Sequence, residues 1–300
     1  MFGFYYKQTL GNKGFVSPIP DFLNKKDNSQ VSTLDIWFPF LHDILPGSTK
    51  KPQLSAKSAL MYDLTDNKVV YEKNSQEKLP MASLTKIMTA IVAIEHKRSD
   101  DRYVVYPQNL VGENVMGLVS GEILSFNDLL YGLILNSGND AAEVLATNTM
   151  NRYEFVKAMN SKVLSLGLKN TNFTNPSGLE GDGDQHTTAY DLLVITRYVL
   201  SHYPQFAKVA AAPEHHISAT KDHGAYDLYN ETNLITSYPG VKGVKDGYTP
   251  EAGLCLVTYL DYQGHKLIGV ILGSENRRQE MKDLLDYSLS AQGIKPPPHS

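Results

Sequence analysis

The run GVKGVKDGYTPEAGLCLVTYLDYQGHKLIGVIL, residues 240–272, decides the fold. It divides into three β-rich segments, Gly240 to Tyr248, Gly253 to Leu260 and Lys266 to Leu272, and the hairpin loop DYQGH joins the last two. Near the other end, residues 58–71 read SALMYDL, then TDN, then KVVY, which is a second hairpin around an Asp66-Asn67 turn. Between these strands the period changes. Leu84, Ile87, Met88, Ile91 and Val92 fall at i, i+3, i+4, i+7, i+8, one helical face. The opposite face carries Ala82, Thr85, Thr89, Ala90 and Ala93, all small, so both sides can pack and the helix is expected at the centre of the core. Helical patterns fill most of the chain from Ser125 to about His202, and an amphipathic segment from Glu280 to Leu289 follows the last strand. Strands at both ends with helices between predict an α+β fold: a mostly antiparallel sheet from N- and C-terminal strands, flanked by helices, with a largely helical insert.

Outside this body the reading is coarser. Residues 1–52 are rich in Asn, Ser, Pro and Lys without a sustained period and are expected to be an extension or linker. Residues 53–292 form the expected domain, with its helical subregion at about 95–205, and residues 293–300 read as a frayed tail. The stretch IWFPFLHDIL, residues 36–45, is apolar but short and interrupted, so it reads as a segment packing on the core. No apolar run reaches the roughly 20 residues of a spanning helix, and the N-terminus lacks a signal peptide's apolar core. Membrane association is therefore not visible in the sequence. With 28 Lys+Arg against 32 Asp+Glu, net charge −4 and no long block of like charge, nucleic acid is not an expected partner. A single cysteine excludes an internal disulfide framework.

Three short elements can carry chemistry. Ser83 and Lys86 lie three apart on the central helix, neighbours over one turn. A serine hydroxyl needs a base, and a lysine serves only if its ammonium is destabilised, which burial achieves. The same spacing also suits a lysine snorkelling to the surface, and Ser-x-x-Lys recurs at Ser48/Lys51, Ser75/Lys78 and Ser218/Lys221 in polar surroundings. The second element is Ser137-Gly138-Asn139, which could equally be a helix connection capped by Asp140 with Glu143 as its capping-box partner. The third is Lys245-Asp246-Gly247 on a predicted strand. There a glycine lets a substrate backbone approach and a lysine offers a positive charge to a carboxylate, although an edge strand protected by lysine reads the same way.

The order and spacing of the three elements resemble the S-x-x-K, S-D-N and K-T-G set of the penicillin-binding serine enzymes. LPMASLTKIMTA around Ser83, NSGNDAA around Ser137, NPSGLEGDGDQHTTAYDL at 175–192 and GVKGVKDGYTPEAGLCLV at 240–257 are similar to the D-alanyl-D-alanine carboxypeptidases, over about residues 53–290. The resemblance implies Ser83 as the acylated nucleophile, Lys86 as its base, Ser137 as a proton relay, and Asn139 as holder of Lys86 and the substrate amide. Lys245 would add positive potential, and Gly247 would let the peptide lie along the strand. Backbone N–H groups of Ser83 and Tyr248 would form the oxyanion hole. Arg277, with Arg278 beside it, sits where the family has an arginine for the substrate carboxylate. The implied activity removes terminal D-Ala from peptidoglycan stem peptides ending in D-Ala-D-Ala, in cell-wall biogenesis and cell shape, with β-lactams as inhibitors, no cofactor, and an extracytoplasmic location.

One position departs from the pattern. Asp246 stands where the family has Thr or Ser, and a carboxylate there is expected to repel a substrate carboxylate. Strand alternation would turn Asp246 away from the Lys245 face, and Thr249 could supply the lost hydroxyl. Two alternatives stand beside the carboxypeptidase: a DD-endopeptidase acting on cross-links with the same residues and a different site shape, or a wall-peptide-binding protein that is catalytically impaired because of Asp246. A β-lactamase is disfavoured because Glu180 lies in the NPSGL context rather than in a Glu-x-x-Leu-Asn loop. The nine histidines include no His-Glu-x-x-His, so no metal is expected, and Asp182, Asp184 and His186 read as a solvated turn before a helix capped by Thr187 or Thr188.

Overall fold

The structure is a computed structural model that describes residues 37–39 and 50–299. Along the chain, β1 (Ser58–Asp63) and β2 (Lys68–Lys73) form the first hairpin, and a 3₁₀ turn at Ala82–Leu84 runs into α1 (Thr85–Glu95). The insert holds a short pair, β3 (Tyr103–Val104) and β4 (Ile123–Leu124), then α2 (Phe126–Ile134), α3 (Asn139–Thr149), α4 (Arg152–Ser165), α5 (Ala189–His202) and α6 (Pro204–Ala210). A second pair, β5 (Glu214–Ile217) and β6 (Tyr226–Tyr229), and the one-turn α7 (Leu234–Ser237) lead to β7 (Val241–Thr249), β8 (Gly253–Tyr262), β9 (His265–Ser274) and α8 (Arg277–Ser290).

Both ends of the chain share one antiparallel sheet of order β2-β1-β9-β8-β7. Its strands alternate between two apolar layers. Leu60, Tyr62, Val257 and Val270 face the layer that holds α1, α2, α3 and α5, whereas Met61, Leu256, Leu260 and Ile271 face α8 through Met281, Leu284 and Leu285. The expected α+β class is what forms, and α1 lies at its centre with every residue from Thr85 to Ala93 buried. Polar side chains start the flanking helices: Ser125, Asn151 and Thr188 each accept from the backbone N–H three residues on, at 3.1, 2.9 and 3.0 Å.

Some expectations change. The loop around His215-His216 is a strand pair, with His215 stacked on Tyr131 at 3.6 Å between ring centroids. Aromatic stacking and cross-strand pairing order a segment that its Pro and His content makes look loop-like. The C-terminal residues do not fray through 299: His299 stacks on Tyr238 at 4.7 Å, and its Nε2 lies 2.9 Å from Asp286 Oδ2. Of the apolar segment at 36–45, only residues 37–39 are described; there Trp37 meets the Tyr62 ring edge-on at 5.2 Å and lies under Arg197. The remainder of that segment and most of the expected extension fall outside the described residues. No helix among the described residues is long and apolar enough to cross a membrane.

Candidate active site

The 3₁₀ turn at the head of α1 carries Ser83, and the next helical turn carries Lys86. Ala82 adopts a left-handed φ of 49°, which rotates the chain into the helix and leaves Ser83 half-buried beside the lysine. Lys86 is completely buried. Its Nζ lies 2.9 Å from Ser83 Oγ, 2.7 Å from Asn139 Oδ1 and 2.6 Å from the carbonyl oxygen of Ser177. Burial, and then the charge of Lys245, push the Lys86 pKa well below its ordinary value, against weaker opposite pulls from Glu231, Asp246 and Asp140. The snorkelling alternative is therefore ruled out by geometry: the lysine head points into the protein.

A neutral amine has two N–H donors and one lone pair. Asn139 Oδ1 and the Ser177 carbonyl can accept only, so they take the two donors, and the lone pair is left facing Ser83 Oγ. That is the arrangement in which a lysine can receive a serine proton.

The Ser137-Gly138-Asn139 element links α2 to α3. Ser137 is buried with a left-handed φ of 53°, and Asn139 opens α3, its Oδ1 on Lys86 and its Nδ2 donating to the Glu113 carbonyl. The capping-box reading of this stretch does not hold. Gly138 is the N-cap, Glu143 pairs with Arg152 at 3.0 Å, and Asp140 accepts from the backbone N–H groups of Met116, Gly117 and Leu118 at 2.8, 2.9 and 3.0 Å. Asp140 thus ties residues 116–118 to the first turn of α3.

Opposite stands β7, an edge strand of the sheet. A Cβ built on Gly247 would sit 2.9 Å from the backbone nitrogen of Ser83 and 3.3 Å from that of Leu84. The space this glycine leaves open is filled by the turn bearing Ser83, not simply by substrate as the sequence suggested. Tyr248 and Thr249 follow, and with Ser83, Asn139, Glu113 and Asn114 they line one cleft. Tyr248 is largely exposed, and Thr249 Oγ1 accepts from Ala252 N at 3.1 Å across the β7–β8 turn.

Lys245, Asp246 and Arg277 form a second cluster. Lys245 is fully buried, and its Nζ lies 2.9 Å from Asp246 Oδ1. Arg277, the first residue of α8, donates to Asp246 Oδ2 at 2.5 Å and to the Gly247 carbonyl at 2.6 Å. Alternation does not separate Asp246 from Lys245 as expected. It sets where the Cβ atoms point, but β7 has no further strand on its outer side, and the long lysine stem can bring its head to the carboxylate. Burial raises the Asp246 pKa, yet the charges of Lys245 and Arg277 outweigh it and hold the carboxyl below its ordinary value. Asp246 is thus an ion-paired anion rather than an isolated repulsive one, and Arg277, not Arg278, is the arginine that reaches the strand.

The loop 175–179 belongs to a stretch that carries the family resemblance, but the sequence assigned it no role in the site. Asn175 is fully buried and accepts from Ser177 N and Gly178 N at 3.1 and 2.7 Å while donating to the Leu179 carbonyl at 2.8 Å. This turn presents the Ser177 carbonyl to Lys86. A Cβ on Gly178 would lie 2.1 Å from the Ala82 carbonyl oxygen, so the loop packs directly on the turn before Ser83. The only sequence signal was NPSGL, whose Asn-Pro and Ser-Gly pairs mark a turn but not what it holds. Among the described residues, Asp63, Asp66 and His265 bring possible metal-binding atoms within 4.8 Å of one another. Asp63 already accepts from the Thr65 and Asp66 amides at 2.6 and 3.0 Å, and Asp66 pairs with Lys68, so this group locks the β1–β2 turn.

A serine and a buried lysine at the head of a core helix, faced by an asparagine and by a lysine-bearing edge strand, define the class of penicillin-binding serine peptidases. The comparisons agree. The family model described as D-alanyl-D-alanine carboxypeptidase matches residues 46–276, so the chain belongs to that family. It is 35% identical over 251 residues to the D-alanyl-D-alanine carboxypeptidase DacF of Bacillus subtilis, covering 80% of this chain and 64% of that protein. It is 33% identical over 219 residues to a D-alanyl-D-alanine endopeptidase of Pseudomonas aeruginosa, covering 70% of this chain and 69% of the relative. The crystal structure of a D-alanyl-D-alanine carboxypeptidase from Mycobacterium tuberculosis superposes with a TM-score of 0.77 at 28% identity, over 86% of this chain and all of that one. The chain thus spans somewhat less than two thirds of the length of the Bacillus relative.

Proposed function

We propose that the protein is a serine-type DD-carboxypeptidase that removes the terminal D-Ala of peptidoglycan stem peptides through an acyl-enzyme on Ser83. The observation that carries this reading is the position of Lys86 Nζ, buried and 2.9 Å from Ser83 Oγ with two acceptors engaging its other positions. Neutral Lys86 takes the hydroxyl proton as Ser83 Oγ bonds to the carbonyl carbon of the penultimate D-Ala. The developing oxyanion is met by the backbone N–H groups of Ser83 and Tyr248. The C–N bond then breaks, the departing D-Ala amine receives a proton relayed through Ser137, and water hydrolyses the ester with Lys86 again as base. Asn139 holds Lys86 and the substrate amide, while Lys245 keeps Lys86 neutral. No cofactor is needed by these steps, and β-lactams would acylate the same serine.

The peptidase domain in this reading spans residues 53–292, with 1–52 an extension, and works on the extracytoplasmic side, where its cell-wall substrate lies. Intact mass after incubation with a penicillin tests the nucleophile. One adduct on the parent, absent from Ser83→Ala, together with D-Ala release from a D-Ala-D-Ala peptide, is the expected result. No adduct and no D-Ala release would leave a wall-peptide-binding protein instead. A DD-endopeptidase is the second reading. It uses the same residues with a different leaving amine, and where that amine bears no free α-carboxylate the pairing of Asp246 with both Lys245 and Arg277 favours it, because those cations are already engaged.

A further inference from the structure

A peptide that ends in a free carboxylate carries its charge just beyond the scissile bond, along β7. Two cations belong to that strand or reach it. Lys245 and Arg277 both give their charge to Asp246, at 2.9 and 2.5 Å, and the second guanidinium nitrogen of Arg277 is bound to the Gly247 carbonyl at 2.6 Å. Asp246, whose carboxylate bridges them, is 5% exposed and belongs to the same strand as Gly247, which packs on Ser83. Glu231 lines the recess that Asp246 and Arg277 share, adding a second acid to its wall. An incoming carboxylate therefore meets cations already paired and must share them with a built-in anion of its own kind.

We propose that Asp246 is a specificity-determining residue that substitutes for the substrate's terminal carboxylate. The site thereby takes acyl-D-alanyl amides whose leaving amine bears no free α-carboxylate, as in a cross-link through a simple side-chain amine or an amidated residue, alongside terminal D-Ala-D-Ala. The inference rests on the acyl-enzyme reading above and concerns only the leaving group. The bond changes are those already given: Ser83 Oγ to carbonyl carbon forms, the C–N bond breaks, the amine leaves with a proton, and water completes hydrolysis. In a site with free cations, the charge-assisted bonds to a terminal carboxylate strengthen binding of the acid alone, whereas here that advantage is cancelled in advance.

The test compares kcat/KM of the full chain for diacetyl-Lys-D-Ala-D-Ala and for its C-terminal carboxamide, in the parent and in Asp246→Thr and Asp246→Asn. In the parent, the carboxamide should be cleaved within about tenfold of the acid, or faster. Both variants should shift the ratio toward the acid by about tenfold or more, the scale of one charge-assisted hydrogen bond. Cooperative thermal unfolding of each variant checks that it folds, and the asparagine variant keeps the side-chain shape if the threonine variant does not fold. A parent that favours the acid more than about 100-fold, or a ratio unmoved in a folded variant, overturns the proposal while leaving Ser83 chemistry intact. No turnover of either peptide and no Ser83 adduct with a penicillin overturns the acyl-enzyme reading itself, and the specificity proposal with it.

Discussion

Lys86 Nζ lies 2.6 Å from the carbonyl oxygen of Ser177, a residue 91 positions further along the chain. That contact orients the amine. With Asn139 Oδ1 at 2.7 Å it takes up two of the three substituent directions on the nitrogen and leaves the third for Ser83. The lysine's role then depends on two elements outside its own helix, the loop after Asn175 and the first turn of α3.

Lys86→Ala should lower the rate of acylation by a penicillin by about 10²–10⁴-fold, the span of a lost general base. Lys86→Arg should not rescue it, because a guanidinium stays protonated and has no lone pair to offer. Stopped-flow or intact-mass kinetics would check both. Near-parental acylation by the arginine variant would exclude Lys86 as the base.

The pH dependence follows from the direction of the Lys86 shift. Burial and then Lys245 lower its pKa, and the neutral form is the active one, so acylation rises with pH through the lowered value and is lost below it. Lys245→Gln removes a positive neighbour, raises the Lys86 pKa, and should move the acid limb to higher pH. Stability runs in the same direction. Between the lowered pKa and the ordinary value of about 10.4, the unfolded chain holds a proton that the folded chain lacks, so stability due to this group rises with pH by at most about 1.4 kcal/mol per unit. Rate profiles and melting curves across pH would test both, and an acid limb that stays in place in Lys245→Gln would contradict the assignment.

Gly178→Ala should destabilise the protein by about 2–5 kcal/mol, from a left-handed backbone and an overpacked contact together. Its φ is +92°, and the new methyl would lie 2.1 Å from the Ala82 carbonyl oxygen. The same strain presses on the turn that carries Ser83, so acylation should slow as well. A denaturant titration and an acylation time course read the two effects separately.

Asn175 is a positioning residue with no contact to substrate in the proposed chemistry. Asn175→Ala removes the acceptor of the Ser177 and Gly178 amides and the donor to the Leu179 carbonyl. Leaving buried amides unsatisfied costs about 1–3 kcal/mol. Loosening the Ser177 carbonyl should slow acylation by about 10–100-fold, the scale of a small misplacement near reacting atoms. A shifted acid limb in the rate profile, beyond any change in melting temperature, distinguishes positioning of Lys86 from general loss of fold.

Local pattern made much of this legible. The apolar spacing of Leu84, Ile87, Met88, Ile91 and Val92 identified α1, and its small opposite face marked it as buried on both sides. Hairpin signals located β1–β2 and β8–β9, and three spaced motifs pointed to Ser83, Lys86 and Asn139, which the fold brings into one hydrogen-bonded group. The β5–β6 pair was not legible, because its strands are only four residues long and are ordered by partners such as Tyr131 from a distant helix.

What the sequence determined by itself was which of the longer segments are helix or strand, and which residues share a helical turn. Those are relations between positions a few residues apart, and backbone geometry alone dictates them. Only the tertiary structure decided that the Ser177 carbonyl orients Lys86, that Gly247 makes room for the serine turn, and that Asp246 takes up both Lys245 and Arg277. Charge and hydrogen-bond pairing depend on distance in space and on burial, and the chain sets neither until β7, α8 and the loop after Asn175 close around the head of α1.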